Sequence, residues 1–151
     1  MCLYYANKIN LEEDLTVYKV FLEELRVFYT MKKTIISPYT GFEWEIGKIY
    51  EIKKFEPKLK IIQTKTLKDA HFITTEEKQV YGDAFHSYAT IEGAQTLYNT
   101  ILNDYGLGKD IAIYECVIPK NSHFVYTGHF VNCSDIEYAS EKLKVIKKIE
   151  F

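Results

Sequence analysis

From Ile111 to Ile118 the chain reads IAIYECVI, apolar at nearly every position and closed by Pro119. A strand exposed on one face alternates apolar and polar residues, whereas one that is apolar throughout has to be covered on both faces. This run is therefore expected at the centre of a sheet, with packed layers above and below it.

One covering layer is helical. Ile91, Ala94, Leu97, Tyr98, Ile101, Leu102 and Tyr105 recur at spacings of three and four, drawing one apolar stripe along a helix over residues 90–105. Thr90 is placed to cap its first amides, Glu92 complements the positive N-terminus, and Gly106 suits the left-handed residue after the last turn. Gly93 costs about 1 kcal/mol relative to Ala in a helix, so a packing reason for it is expected.

The remaining patterns read as strands. Leu15 to Leu22 (LTVYKVFL) and Arg26 to Met31 (RVFYTM) are rich in β-branched and aromatic residues, and the polar Glu23-Glu24 between them suggests a hairpin. Ser37-Pro38-Tyr39-Thr40-Gly41 has turn chemistry. Phe42, Trp44 and Ile46 then alternate with Glu43 and Glu45, which puts the apolar side chains on one face, and Gly47 turns the chain into a strand over Lys48 to Lys53. Phe124 to Phe130 and Leu143 to Ile149 complete the set, with Lys142, Lys144, Lys147 and Lys148 read as the solvated side of the last strand. Residues 1–14 read as an N-terminal arm, and 15–151 as a single domain. Residues 54–82, weakly alternating and flanked by charge, read as a variable insertion in it. The expected class is α+β: a mixed, mostly antiparallel, curved sheet with one principal helix packed on it.

Charge and composition narrow the function. Lysines outnumber arginines eighteen to one, the exception being Arg26, and the net charge is −2. A guanidinium fork is the preferred reader of guanine and phosphate, so sequence-specific nucleic-acid recognition is not expected. No stretch reaches the ~18 apolar residues of a membrane span. Cys2, Cys116 and Cys133 are odd in number and far apart, and Met-Cys-Leu-Tyr-Tyr lacks the basic and apolar regions of an export signal; both favour a cytoplasmic protein.

The segment Ala84 to Thr90 (AFHSYAT) carries the most chemistry, because a strand ending at a helix N-terminus aims free amides into one corner and can hold an anion there. His86, Ser87, Tyr88 and Thr90, with Tyr18 nearby, are the candidate ligand-binding residues. His86 as a partner of a carbonyl and Ser87 or Thr90 as a plain helix cap are the bland alternatives. Cys116 in the apolar strand reads as an inert core thiol. An N-terminal Cys2 could act as a nucleophile with its own amine as base. His123 and His129, six apart in an expected strand, would lie about 20 Å apart, too far to share a metal. Glu115 is the carboxylate that the pattern places in the buried strand.

The succession Tyr18-Lys19-Val20-Phe21, Ser37-Pro38-Tyr39, Phe42-Glu43-Trp44-Glu45-Ile46-Gly47-Lys48-Ile49-Tyr50-Glu51, Phe85-His86-Ser87-Tyr88 and Val117-Ile118-Pro119-Lys120-Asn121-Ser122 resembles a family of small uncharacterised proteins of gut Bacteroidetes-type bacteria and their phages. That resemblance implies a host or phage accessory role. The chain is also distantly similar to ADP-ribosyltransferase-like folds, with Tyr18-Lys19, Ser87-Tyr88 and Glu141 in the matching places. This similarity implies that Lys19, Ser87 and Glu141 would be catalytic and that NAD would be the cofactor, although Lys19 stands where that family has Arg or His. Three readings follow. The leading one is a non-enzymatic domain, without cofactor, that engages a protein or a small anionic ligand at the corner 84–92, using exposed rings among Tyr39, Phe42 and Trp44. The second is an ADP-ribosyltransferase-like enzyme, or a degenerate relative of one, acting on NAD or a nucleotide, and the third a phage structural or assembly component.

Overall fold

The computed structural model describes residues 3–28, 30–38, 42–53, 58–68, 71–81, 84–105, 110–129 and 135–150. In chain order these form β1 (Leu3–Ile9), β2 (Leu15–Phe28), β3 (Thr30–Ile36), β4 (Glu43–Trp44), β5 (Ile49–Glu51), β6 (Lys58–Lys68), β7 (His71–Tyr81), β8 (Phe85–Tyr88), α1 (Ile91–Tyr105), β9 (Asp110–Ile118), β10 (Val125–His129), β11 (Ile136–Ser140) and β12 (Lys142–Lys148). The strands make one sheet in the order β5-β12-β9-β2-β8-β11-β10-β1-β7-β6, with β3 added to β2 and β4 to β3. Every strand pairing described is antiparallel; the one parallel link among the described residues is an isolated bridge from Ile46 to Val145.

The α+β expectation is thereby corrected: among the described residues the fold is nearly all antiparallel sheet, with one helix of 15 residues. The extra strands arise where side-chain alternation is weak but backbones still pair, since ladder hydrogen bonds need no particular side chain. Residues 3–9, expected as part of an arm, are β1 and lie between β10 and β7. Within 54–82, β6 and β7 pair from Lys58 opposite Tyr81 to Lys68 opposite His71. The Glu23-Glu24 pair does not turn the chain either, because β2 runs unbroken through it. Instead the β2–β3 pairing runs on to Phe28 opposite Thr30. Cys2, Cys133, Tyr39 and the expected helix C-cap Gly106 lie outside the described residues.

Pairing with β3 on one edge and β9 on the other fixes β2 at the centre, for Leu22 faces both Ile36 and Ile111. Its even residues Tyr18, Val20 and Leu22 lie under α1 with Ile113 of β9, Tyr88, Ala94, Leu97, Tyr98 and Ile101. Its odd residues Val17 and Phe21 face the other way, with Ile35, Trp44, Tyr114, Cys116, Leu143 and Val145. The central strand β9 is covered on both faces, as the run at 111–118 demands. Each fully buried side chain of the size of Phe21, Leu143 or Ile101 contributes roughly 1.5–3 kcal/mol of burial.

The second face has no helix over it and is covered by the sheet itself. β4 hangs from β3 on one flank, β5 hangs from β12 on the other, and residues 45–48 join the two. Gly47 makes this join: its φ of 86° is in the left-handed region, and its amide donates to the carbonyl of Val145 at 2.8 Å. The strands β4-β3-β2-β9-β12-β5 thus form a loop closed through the covalent chain.

Candidate functional site

At the strand–helix corner 84–92 the helix end is capped and closely packed around Gly93. Thr90 Oγ1 accepts the amide of Gly93 at 3.0 Å, so Thr90 is the helix cap. A methyl group on Gly93 would stand 3.2 Å from Tyr88 Cδ1 and 3.3 Å from both Asp135 Cβ and Thr90 Oγ1, which is the packing reason for that glycine. Thr96 donates to Asp135 Oδ2 at 3.4 Å, and so an acidic residue already lies against the first turn. Tyr88 is buried, and Tyr18, its partner across β2 and β8, packs beside it under α1. Tyr88, Thr90 and Asp135 thus crowd the first turn around Gly93.

Of the residues implied by the ADP-ribosyltransferase-like similarity, two are neighbours and one is committed elsewhere. Tyr18 opposite Tyr88 puts Lys19 beside Ser87 in the register, on the face away from α1. Lys19 is half-buried, and its Nζ donates to the carbonyl of His86 at 2.8 Å. Burial holds its pKa below the ordinary lysine value, with Cys116 and Glu137 opposing that shift. Ser87 Oγ is buried without a hydrogen-bond partner among the described residues. Glu141 lies between β11 and β12, and its Oε1 accepts the backbone amides of His123 and Phe124, the latter at 3.1 Å. Its carboxylate fastens a loop.

His86 meets a carboxylate that the sequence did not single out. Its Nδ1 lies 3.1 Å from Glu137 Oε1, with His86 9% and Glu137 0% exposed. β11 delivers Glu137 opposite Tyr88 and Ala139 opposite His86, so Glu137 reaches His86 along the diagonal on one face. Desolvation lowers the His86 pKa, outweighing the Glu137 hydrogen bond and charge that raise it; Lys19 adds to the lowering. Glu137 Oε2 has no hydrogen-bond partner among the described residues. Ser87 cannot complete a Ser-His-Glu triad here, because adjacent residues of a strand point to opposite faces. The Cys116 thiol lies fully buried in the core, and desolvation pushes its pKa up to about 12.

Glu115, expected to be buried, is half-buried; the buried carboxylates among the described residues are Glu23, Glu137 and Glu141. Glu23 Oε1 accepts the Tyr114 hydroxyl at 2.7 Å and lies 3.0 Å from Lys148 Nζ. Lys148 faces inward because the register of β12 against β9 slips between Val145 and Lys147, a bulge that inverts the alternation and puts Lys148 opposite Tyr114. Desolvation, and then the Glu23 carboxylate, raise the Tyr114 pKa, so the phenol stays a proton donor.

Tyr114 also lines the cavity inside the closed loop of strands. This space, about 660 Å³, is bounded by Thr34, Ile35, Glu43, Trp44, Glu45, Ile46, Tyr50 and Tyr114. Trp44, only 4% exposed, is held by its indole N–H donating to Ser37 Oγ at 2.8 Å and by edge-on contacts to Phe21, Phe42, Tyr50 and Phe85. It is therefore a wall of the core, not the exposed anchor expected for it. Phe42 and Ile46, on the same face of the segment, are 42% and 59% exposed. None of Lys19, Ser87 and Glu141 lines this cavity.

Among the described residues no group of three or more His, Cys, Asp or Glu side chains is placed to hold a metal ion, and no helix is long and apolar enough to cross a membrane. No known protein family, curated protein or solved structure matches the chain.

Proposed function

We propose that the chain is a small-ligand-binding module whose site is the cavity between β3, β4, β5 and β9. The carrying observation is the coincidence of a 660 Å³ space, walled by Trp44, Tyr50 and Tyr114, with the exposed apolar residues Phe42 and Ile46 at its margin. Ligand sites are concave spaces of roughly 300–1,000 Å³ that combine apolar walls with placed polar groups, and this cavity matches them in volume, with polar and apolar groups sharing its lining about equally. Exposed rings beside such a space are the side chains that contribute most to recognition. A reducing, cytoplasmic setting fits a fully buried free thiol such as Cys116 and belongs to the same reading.

Trp44 is the only tryptophan of the chain, so its emission reports on this cavity wall and no other. A fragment library is titrated while Trp44 fluorescence and thermal stability are both followed. Compounds that raise the melting temperature are expected to shift or quench Trp44 emission over the same concentration range. Stabilising compounds that leave Trp44 unchanged would place the site elsewhere.

A further inference from the structure

We propose that the ligand of this cavity is an organic ammonium compound: an apolar body, aromatic or branched, carrying one positively charged amine. The inference deepens the proposed function and rests on it.

Among the described residues the lining contains two carboxylates, Glu43 and Glu45, and no basic side chain, while Lys48 lies beside it over the Tyr50 ring. Both residues are exposed, and two carboxylates at the mouth disfavour an anion there. The protons of the two most buried walls are already spent. The Trp44 N–H is given to Ser37, and the Tyr114 hydroxyl proton to Glu23. What Tyr114 still offers a ligand is its oxygen as an acceptor. The hydroxyls of Thr34 and Tyr50 can play either part; that of Tyr50 already accepts the Glu45 amide at 3.0 Å. At Trp44 and Tyr114, whose protons are committed, and at the two carboxylates the cavity thus favours a guest that donates.

The aromatic walls favour a cation for a separate reason. A ring face is the negative part of its quadrupole, and an ammonium group within about 6 Å of the centroid is attracted to it. The protein shows this at the site, where Lys48 Nζ sits 5.0 Å from the centroid of the Tyr50 ring. A guest amine close to Tyr50 and Glu45, with its apolar body against Trp44, Ile35 and Ile46, satisfies the charge and the rings together.

Three probes of nearly equal shape separate the possibilities: phenethylammonium, 2-phenylethanol and 3-phenylpropionate, titrated at low salt against the intact chain with Trp44 emission as readout. Phenethylammonium is expected to saturate the signal with an apparent Kd at least tenfold below that of the alcohol, and the carboxylate to bind more weakly than either. The doubly substituted variant Glu43→Gln/Glu45→Gln, both changes being at exposed positions, should bring the amine and the alcohol within about twofold of each other. Near-ultraviolet circular dichroism shows whether that variant keeps the native packing, and raising the salt in the wild type should narrow the same gap without any substitution. Equal binding of the three probes, or tightest binding of the carboxylate, overturns the cation assignment and leaves the cavity a binding site. No change with any of the three overturns both.

Discussion

Removing the Tyr114 hydroxyl tests whether the Glu23–Tyr114–Lys148 cluster holds the cavity wall in place. In Tyr114→Phe the ring remains, while Glu23 Oε1 loses a donor at 2.7 Å in a buried setting. A hydrogen bond to a charged group is worth about 1.5–3 kcal/mol. Lys148 still lies 3.0 Å from the same oxygen, so the carboxylate keeps a partner and the lower part of that range applies, about 1.5–2 kcal/mol. For a chain of this length that corresponds to roughly 3–8 °C in Tm. Lys148 itself is 38% exposed, so solvent screening limits Lys148→Met to less than about 1 kcal/mol. Urea unfolding followed by Trp44 fluorescence and by far-ultraviolet circular dichroism gives the free energies, and the cycle Tyr114→Phe with Glu23→Gln gives the coupling, expected at about 1–2 kcal/mol. A coupling within about 0.5 kcal/mol of zero, or a larger loss from Lys148→Met than from Tyr114→Phe, would refute the assignment of Tyr114 as the principal partner.

Three further outcomes follow from the geometry. Because burial lowers the His86 pKa in the folded state, the unfolded chain takes up the proton first; stability is full above pH 6.5 and declines as the pH falls below it, by up to about 1.4 kcal/mol per pH unit until the folded-state value is passed. His86→Gln should flatten that decline in urea titrations across pH 7.5 to about 5, and an unchanged slope would show that another group governs it. Gly93→Ala should fail to deliver the usual helix gain of about 1 kcal/mol, since its methyl meets Tyr88, Asp135 and Thr90 at 3.2–3.3 Å; a full gain in Tm would mean those neighbours yield freely. Gly47→Ala meets no atom within 4 Å, so its cost is the left-handed backbone alone, about 1–2 kcal/mol, and a neutral result in thermal unfolding would show that the turn relaxes.

Local physics made parts of this molecule readable from its residues. The helix was legible because the stripe, the Thr90 cap and the awkward Gly93 are all encoded within one short window. The central position of 111–118 was legible because a strand apolar on both sides has few other places to go. Glu137 was not, for in the stretch Ile136-Glu137-Tyr138 it looks like the solvent side of an alternating strand. Only the antiparallel register of β11 on β8 brings it to His86, fifty-one residues away in sequence. Glu23 misled for a similar reason: two adjacent acids resemble a turn, and the phenol that retains Glu23 inside the sheet comes from β9. Lys148 looked like one of several solvated lysines because a bulge, which reverses the parity of everything after it, leaves little trace in the residues themselves. The cavity was half legible: the alternation of Phe42, Trp44 and Ile46 was visible, but the enclosure comes from β3 and β9 meeting β4 and β5.

The covalent join at Gly47 also has a consequence for the order of assembly. β4 needs the β2–β3 hairpin as its template, and β5 needs β12 already laid against β9, whose residues follow the join by more than sixty positions. Contacts this distant in sequence are entropically expensive and form late, so the hollow behind Trp44 should be among the last features to mature during refolding. Nascent or partly folded chains would then expose Phe42 and Ile46 with nothing behind them, and a guest that fits the finished space would recognise only molecules whose folding is complete.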